Sequence, residues 1–279
     1  MSRRVKRPLA KSCAPGDRPK GARPFRGSPA ERPPGHQMSS LHTKRSRSFE
    51  LMLQSIALLA TLISVHPALA ETVEVAPGVQ VTKRTYSAPS NEQPFFGFAA
   101  KNSAQQAADE SFVTAVVQAV GTREKAFDET SKRGWRAISS GNVAEAAQRF
   151  NQAFLLAPEQ SGVYHGFAAV AQIRFSDTDF ADELFRIARK QPNPLKTLNA
   201  DYGRVLLIAK RPREAQPVLE QAVKDTPDFG DAWTNLAWAR LQNGDRAAAC
   251  AAVDEAARQH PSSNANADLT VLRSSAQCK

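Results

Sequence analysis

Residues of the kinds that build catalytic and metal sites are scarce in this sequence. Its 279 residues include five histidines and three cysteines. Beyond residue 70 only His165 and His260 remain, in separate segments that supply too few ligands for a closed zinc site. No glycine-rich phosphate loop follows a predicted strand, and no Gly-x-Ser-x-Gly motif occurs. We therefore expect a protein that is not an enzyme and that binds no cofactor or metal.

An excess of positive charge is absent from most of the chain. Residues 1–70 contain thirteen lysines and arginines and three acidic residues, which accounts for the whole formal net charge of +10. The remaining residues carry 24 basic and 24 acidic side chains, interspersed as on solvated helix faces. Because nucleic-acid binding depends on clustered lysine and arginine at phosphates, this balance argues against a nucleic-acid partner.

The first seventy residues have the composition of a leader. Residues 1–37 are rich in arginine, proline and glycine and contain few apolar residues, so we expect them to be disordered. Met38 offers a second possible start of translation. A basic stretch, an apolar run at 51–65 and a small-residue motif ending at Ala70 then form the three parts of a secretory signal in residues 38–70.

Cleavage after Ala70 would leave Glu71 as the mature N-terminus, and the chain would be periplasmic or secreted. A helix formed by the apolar run would be about 22 Å long, shorter than the ~30 Å hydrocarbon core of a bilayer. We therefore expect only transient contact with the membrane, through the signal peptide. The alternative is an uncleaved signal that remains as a membrane anchor.

Residues 71–102 have the composition of an extended linker with one local pattern. Apolar and polar residues alternate at 72–75 and 79–82, on either side of a Pro-Gly turn, which predicts a small β-hairpin. The hairpin is either an edge that adds to a partner's sheet or part of a spacer. The phenylalanine-rich segment at 95–98 either docks on a partner or folds back on the apolar surface of its own chain.

Helical periodicity is clearest in residues 231–261. Trp233 and Leu241 belong to one apolar stripe, Gly244 interrupts it, and a second stripe follows and ends at Pro261. Neither predicted helix can bury its stripe alone. Prolines at equivalent positions upstream recur at intervals of 34, 35 and 34 residues, which indicates a stack of repeated helix pairs.

Three segments, 141–158, 198–227 and 231–261, resemble tetratricopeptide repeats. The resemblance implies an all-α fold, an α-α superhelical solenoid of about four helix-turn-helix repeats over residues 127–260. The expected helix pairs are 127–157, 161–191, 196–226 and 231–260.

Several residues depart from the pattern of the family. The first repeat has Thr130 and Arg133 where large apolar residues are usual. The second has Phe180 where a small residue normally lets the two helices touch, and the third has Pro217 inside its second helix. We expect these residues to change local helix packing, and Pro217 to kink its helix, without changing the architecture.

End repeats leave an apolar edge that a capping helix must cover. In residues 103–126, a predicted helix from Ser103 to Val120 carries an apolar stripe and ends at Gly121. In residues 261–279, a second short helix would form a C-terminal cap. We interpret the apolar stripe of the first cap as a face that packs against the first repeat, in preference to a face that inserts into a membrane.

In proteins of this resemblance, the first helix of each pair lines a concave groove that holds a protein or peptide. Tryptophan and arginine are enriched where such surfaces bind most strongly. By register, the resemblance implies that the following residues line the groove: Trp135, Ile138, His165, Ile173, Arg204, Leu207, Trp238 and Leu241. The alternative for the two tryptophan rings is packing between adjacent helix pairs, and for His165 it is an ordinary surface position.

The resulting hypothesis is an exported scaffold or adaptor that mediates protein–protein interactions in envelope or secretion assembly. A narrower alternative is a component of secretion or pilus assembly. The chain offers no second candidate domain, because repeats and caps occupy nearly all of residues 103–279.

Two cysteines follow the predicted signal, Cys250 and Cys278. In an oxidising compartment they are expected to form a disulfide that pins the C-terminal cap to the last helix pair. Two free thiols are the simplest alternative. The two cysteines also allow an alternative function of a different class. The chain would then be a thiol-disulfide redox protein that uses Cys250 and Cys278 as its redox-active pair.

Overall fold

The computed structural model describes residues 71–279. Within this part, a two-stranded antiparallel sheet and two short 3-10 helices precede ten α-helices. The strands are β1 Thr72–Ala76 and β2 Val79–Thr82, and the 3-10 helices are Ser90–Glu92 and Pro94–Phe98. The α-helices are α1 Ser103–Val120, α2 Arg123–Ser139, α3 Val143–Leu156, α4 Ser161–Phe175, α5 Thr178–Ala188, α6 Leu198–Ile208, α7 Pro212–Asp225, α8 Gly230–Gln242, α9 Arg246–Arg258 and α10 Ser263–Ala276.

The predicted leader at 1–37 and the predicted signal at 38–70, with its cleavage position at Ala70, lie outside the described residues. In the described range, none of the helices combines the length and the apolar character needed to cross a bilayer.

Helix starts and ends follow the capping residues of the sequence. The side chain of Asp245 accepts a hydrogen bond from the Ala248 N–H at 2.9 Å, which caps the start of α9. Gly244 precedes it with a φ of 90°, a left-handed conformation that costs glycine little and that closes α8. The start of α1 has a full capping box between Asn102 and Gln105.

The helices pair as α2–α3, α4–α5, α6–α7 and α8–α9, and each pair packs on the next. The first helices contact one another directly, α2 with α4 and α6 with α8, and they form a continuous surface that we call the first-helix face. This arrangement confirms the all-α solenoid of about four repeats.

Glycines on first helices let large side chains of second helices approach closely. Phe150 on α3 is fully buried between Gly134 on α2 and Gly166 on α4. A Cβ at Gly134 would lie 2.7 Å from the Phe150 ring, and one at Gly166 would lie 2.3 Å from it. Phe180, which departs from the family pattern, is fully buried as well. Helix α7 continues through Pro217 from residue 212 to residue 225.

Residues 71–98, the N-terminal strap, lie against α3 and α5, the second helices of the first two pairs, and against α4. The backbone N–H of Thr82 donates to Oε1 of Glu183 on α5 at 2.6 Å. The ring of Tyr86 stacks on Phe175 with 3.9 Å between ring centroids. We predicted an extended linker here, and the structure instead packs the segment on the solenoid.

One polar side chain fixes the centre of the strap. Asn151 on α3 is fully buried, and its Nδ2 donates to the carbonyls of Asn91 at 3.0 Å and Gln93 at 2.8 Å. Its Oδ1 accepts from the N–H of Phe96 at 3.0 Å. Phe95 is only 6% exposed, so the phenylalanine-rich segment folds back on its own chain. The rings around Phe95 are those of Phe154, Tyr164 and Phe167.

The two ends of the solenoid are covered differently. Helix α1 packs on α2 and α3, and none of its residues is fully buried. Helix α10 packs on α8 and α9 and buries Leu269 and Leu272. A disulfide joins Cys250 on α9 to Cys278, just after α10, and ties the C-terminal cap to the last pair.

Candidate functional site

An open cavity of about 690 Å³ lies on the first-helix face between α2 and α4. Its remaining walls come from the turn between α3 and α4 and from the loop that precedes α6. We call it the α2–α4 cavity. Its lining residues are Arg123, Glu124, Phe127, Asp128, Ser131, Lys132, Trp135, Leu156, Ala157, Pro158, Glu159, Gln160, Gly162, Asn193 and Leu195.

Helical spacing explains the walls of the cavity. Phe127, Ser131 and Trp135 are four residues apart on α2 and therefore share one side of the helix. Opposite them lies Gly162 in the first turn of α4, a buried position that has no side chain. A Cβ at Gly162 would lie 3.4 Å from Cζ of Phe127, so the ring lies directly against the α4 backbone. Leu195, which is 42% exposed, closes the far side.

Three buried polar atoms at or directly behind the wall of this cavity have no hydrogen-bond partner among the described residues. They are Oγ of Ser131, Nε1 of Trp135 and Nδ1 of His165. Ser131 is only 9% exposed, and both Ser131 and Trp135 line the cavity. Buried polar groups in folded proteins are nearly always hydrogen-bonded, so an unpaired cluster beside an open cavity suits a ligand that supplies the missing partners.

His165 differs from its predicted position. It is fully buried, with its ring 4.6 Å from that of Trp135, and it does not line the groove surface. Its Nε2 lies 2.9 Å from Oδ2 of Asp201 on α6, which suits an Nε2–H donor and leaves Nδ1 as an acceptor. The prediction of an exposed histidine is wrong because Trp135 and Phe185 pack over the ring.

The basic side chains at the α2–α4 cavity already have partners. Arg123 donates to the carbonyls of Leu155 and Leu156 at the end of α3. Lys132 pairs with Glu129 at 3.1 Å. The carboxylates that line the cavity, in contrast, form no ion pair with any lysine or arginine of the described residues. They are Glu124, Asp128 and Glu159.

The turn that carries Glu159 is held in place by Tyr164. Its hydroxyl donates to the Pro158 carbonyl at 2.6 Å. Burial of the ring and, to a smaller extent, the negative charge of Glu159 raise the pKa of Tyr164 to about 12. The hydroxyl therefore stays protonated and continues to donate across the physiological pH range.

A second cavity, of about 260 Å³, lies further along the first-helix face between α6, α8 and α10. Arg204 and Asn235 line it, together with Asp201, Asp231 and Asp268. Asp231 accepts from the backbone N–H and the hydroxyl of Ser262, each at 2.7 Å, which fixes the start of α10. Carboxylates therefore outnumber basic side chains in both cavities.

The structure brings together only part of the predicted groove. Trp135 lines the α2–α4 cavity and Arg204 lines the second cavity. Ile173 is 47% exposed but borders neither one. The predicted residues that are instead half-buried against the core are Ile138, Leu207, Trp238 and Leu241.

Sequence reasoning did not identify Phe127, Ser131, Asp128 and Leu195 as cavity residues. The sequence did contain a signal for Phe127 and Ser131, because they precede Trp135 at intervals of four residues and therefore share its side of the helix. No comparable signal marked Leu195, which reaches the cavity from a loop.

Residues 201–264 match the family model described as tetratricopeptide repeat. No curated protein matches this chain. Among solved structures, the chain is similar to PilF of Pseudomonas aeruginosa, with 23% identity, a TM-score of 0.49, and coverage of 56% of this chain and 71% of that one. It is also similar to TTC0263 of Thermus thermophilus, described as a thermophilic tetratricopeptide repeat protein. The identity is 18%, the TM-score is 0.44, and the similarity covers 61% of this chain and 100% of that one.

Proposed function

We propose that this chain, a member of the tetratricopeptide repeat family, is an exported scaffold that holds a peptide segment of a partner protein on its first-helix face. The α2–α4 cavity supports this proposal most strongly. It is open, it has aromatic and aliphatic walls, and Ser131 and Trp135 in its lining bury polar atoms that have no hydrogen-bond partner within residues 71–279. A peptide backbone carries both donors and acceptors and would satisfy these atoms.

Export is supported by two separate observations. Residues 38–70 have the three parts of a secretory signal. Cys250 and Cys278 form a disulfide, and structural disulfides persist mainly in oxidising compartments. Sequencing of the exported protein should begin at Glu71, and a start well upstream would contradict cleavage of the signal. A role in secretion or pilus assembly is a narrower prediction, which the identity of the partner tests.

Peptide binding can be tested with a library of random dodecapeptides displayed on phage and selected on the protein. Hydrogen–deuterium exchange with a selected peptide should show protection in α2, in the first turn of α4 and around residues 193–195. Protection of the second helices α3, α5, α7 and α9 alone would contradict the proposal, as would failure to select any peptide.

A matched pair of variants locates the same surface without disturbing the core. Leu195 lines the cavity and is 42% exposed, whereas Val271 on α10 is 51% exposed and lines neither cavity. Leu195→Gln should weaken binding of the selected peptide several-fold, because it removes apolar contact area. Val271→Gln should leave binding unchanged.

A further inference from the structure

We infer that the peptide held in the α2–α4 cavity carries a lysine or arginine, whose cationic side chain enters between the aromatic wall of α2 and the surrounding carboxylates. This inference rests on the proposed function and specifies the chemistry of its partner. It draws on three features of the cavity: the rings, the unpaired negative charge and the unsatisfied buried groups.

The rings provide the first part of a cation site. Phe127 and Trp135 line the cavity two helical turns apart on one side of α2. A lysine or arginine side chain has an apolar stem that packs on such rings and a charged end that is attracted to their faces. Tryptophan gives the strongest attraction of this kind among the aromatic residues.

The charges provide the second part. Glu124, Asp128 and Glu159 surround the cavity, while its two basic residues are engaged with the backbone of α3 and with Glu129. A cationic side chain would therefore meet carboxylates that form no ion pair with any lysine or arginine of the described residues. The excess of carboxylates continues into the second cavity, so a peptide lying along the first-helix face meets the same sign of charge at both sites.

The unsatisfied groups indicate a peptide in place of a free cation. Ser131 is 9% exposed and Trp135 is half-buried, and each buries a polar atom beside the cavity that no group in the described part of the chain pairs with. Nε1 of Trp135 can only donate, so it requires an acceptor. The backbone carbonyl of a peptide residue next to the lysine or arginine provides one, whereas an isolated ammonium or guanidinium group provides none.

The test is a dodecapeptide selection carried out in parallel on the unchanged protein, on Asp128→Asn with Glu159→Gln, and on Glu110→Gln. Glu110 is exposed on α1 and outside both cavities, so its variant controls for loss of charge elsewhere. Peptides selected on the unchanged protein and on the Glu110 variant should carry lysine or arginine at a fixed position. Those selected on the double variant should not.

A second measurement uses one selected peptide and its copy with citrulline in place of the critical arginine, or norleucine in place of the critical lysine. The neutral copy should bind the unchanged protein about tenfold more weakly, and this difference should disappear in the double variant and shrink at high salt. Equal binding of the two peptides, or selection of neutral or acidic peptides, would overturn the inference and leave the proposed peptide site intact. Failure to select any peptide at this face would remove both.

Arginine amide at millimolar concentration is the remaining control. It should displace the selected peptide only weakly, because its single carboxamide cannot supply the flanking peptide backbone that pairs with both Ser131 and Trp135, and methylguanidine, which has no carbonyl, should displace the peptide more weakly still. If arginine amide bound as tightly as the peptide, the cavity would be a site for small cations and the inference would fail.

Discussion

The centre of the N-terminal strap and the α2–α4 cavity differ in how their buried polar groups are paired. The strap covers α3, and every polar atom of the Asn151 side chain is paired with strap backbone. At the cavity and directly behind it, Ser131, Trp135 and His165 each bury an atom that has no hydrogen-bond partner among the described residues. Asn151 is therefore satisfied by its own chain, whereas Ser131 and Trp135 leave hydrogen-bonding groups unpaired beside an open cavity.

The largest effect should come from removing the apolar anchor of the strap. Phe95→Ala should lower the free energy of unfolding by about 3–5 kcal/mol, because it empties a buried aromatic site between α3 and α4. Phe96→Ala is the matched control, since the neighbouring ring is half-exposed, and it should cost much less. Urea unfolding of the two variants measures the difference. Similar losses would show that Phe95 does not anchor the strap.

The C-terminal disulfide should give the next largest effect. Cys250→Ser with Cys278→Ser opens a loop with a sequence separation of 28 and should destabilise the protein by about 3–4 kcal/mol in the chain-entropy model. The bond should also resist mild thiols, whereas a working redox dithiol would be reduced readily. Alkylation of the native protein without reductant should modify neither cysteine, and modification of both would show free thiols.

Asp182 on α5 shows that a buried charged group can also be satisfied by its own chain, because its carboxylate lies between the second and third helix pairs. Asp182 has a side chain that is 5% exposed, and it accepts hydrogen bonds from Arg186, Arg211 and the hydroxyl of Tyr202. Burial by itself raises the pKa of this carboxyl, but the three donors outweigh burial and lower the pKa to about 2 from 3.8. Like Asn151, it is satisfied by its own chain.

Asp182→Asn should therefore destabilise the protein by about 2 kcal/mol at neutral pH. The pKa is lower in the folded state, so the ionised group stabilises the fold above about pH 4, and this stabilisation is lost as the pH falls towards 2. Unfolding curves of the two proteins should converge over this interval. A gap between the two proteins that stays constant over this interval would contradict the titration of Asp182.

Sequence reasoning recovered the repeats and the local elements and missed contacts between distant segments. Stripes such as Trp233 and Leu241, with prolines at regular intervals, record helix packing that each repeat needs, so the solenoid could be predicted. The hairpin of the strap was predicted from its local alternation and is present as β1 and β2. The packing of the strap on α3 could not be predicted, because its backbone is satisfied by Asn151, about sixty residues away on a helix where a polar residue suggests an exposed position. The cavity was missed for a similar reason, since Gly162 creates space by lacking a side chain.

The smallest change in stability is expected for Ser131→Ala, a variant that should nevertheless weaken binding of the selected peptide. Ser131 and Ser161 are both buried serines, but Oγ of Ser161 donates to the Ala188 carbonyl at 2.7 Å, whereas Oγ of Ser131 has no partner in the part of the chain that the structure describes. Ser161→Ala should cost about 1 kcal/mol because it removes this buried hydrogen bond. Ser131→Ala removes an unpaired group and should be neutral or stabilising by up to about 1 kcal/mol, measured by urea unfolding.

The same pair of variants then separates structure from function. Ser131→Ala should weaken the selected peptide several-fold despite unchanged or higher stability, because the peptide loses a hydrogen-bond partner in the α2–α4 cavity. Ser161→Ala should bind the peptide normally at temperatures where it is folded. If Ser131→Ala were destabilising and bound the peptide normally, the hydroxyl would belong to the core, and the contrast between the two sides of the solenoid would not extend to this residue.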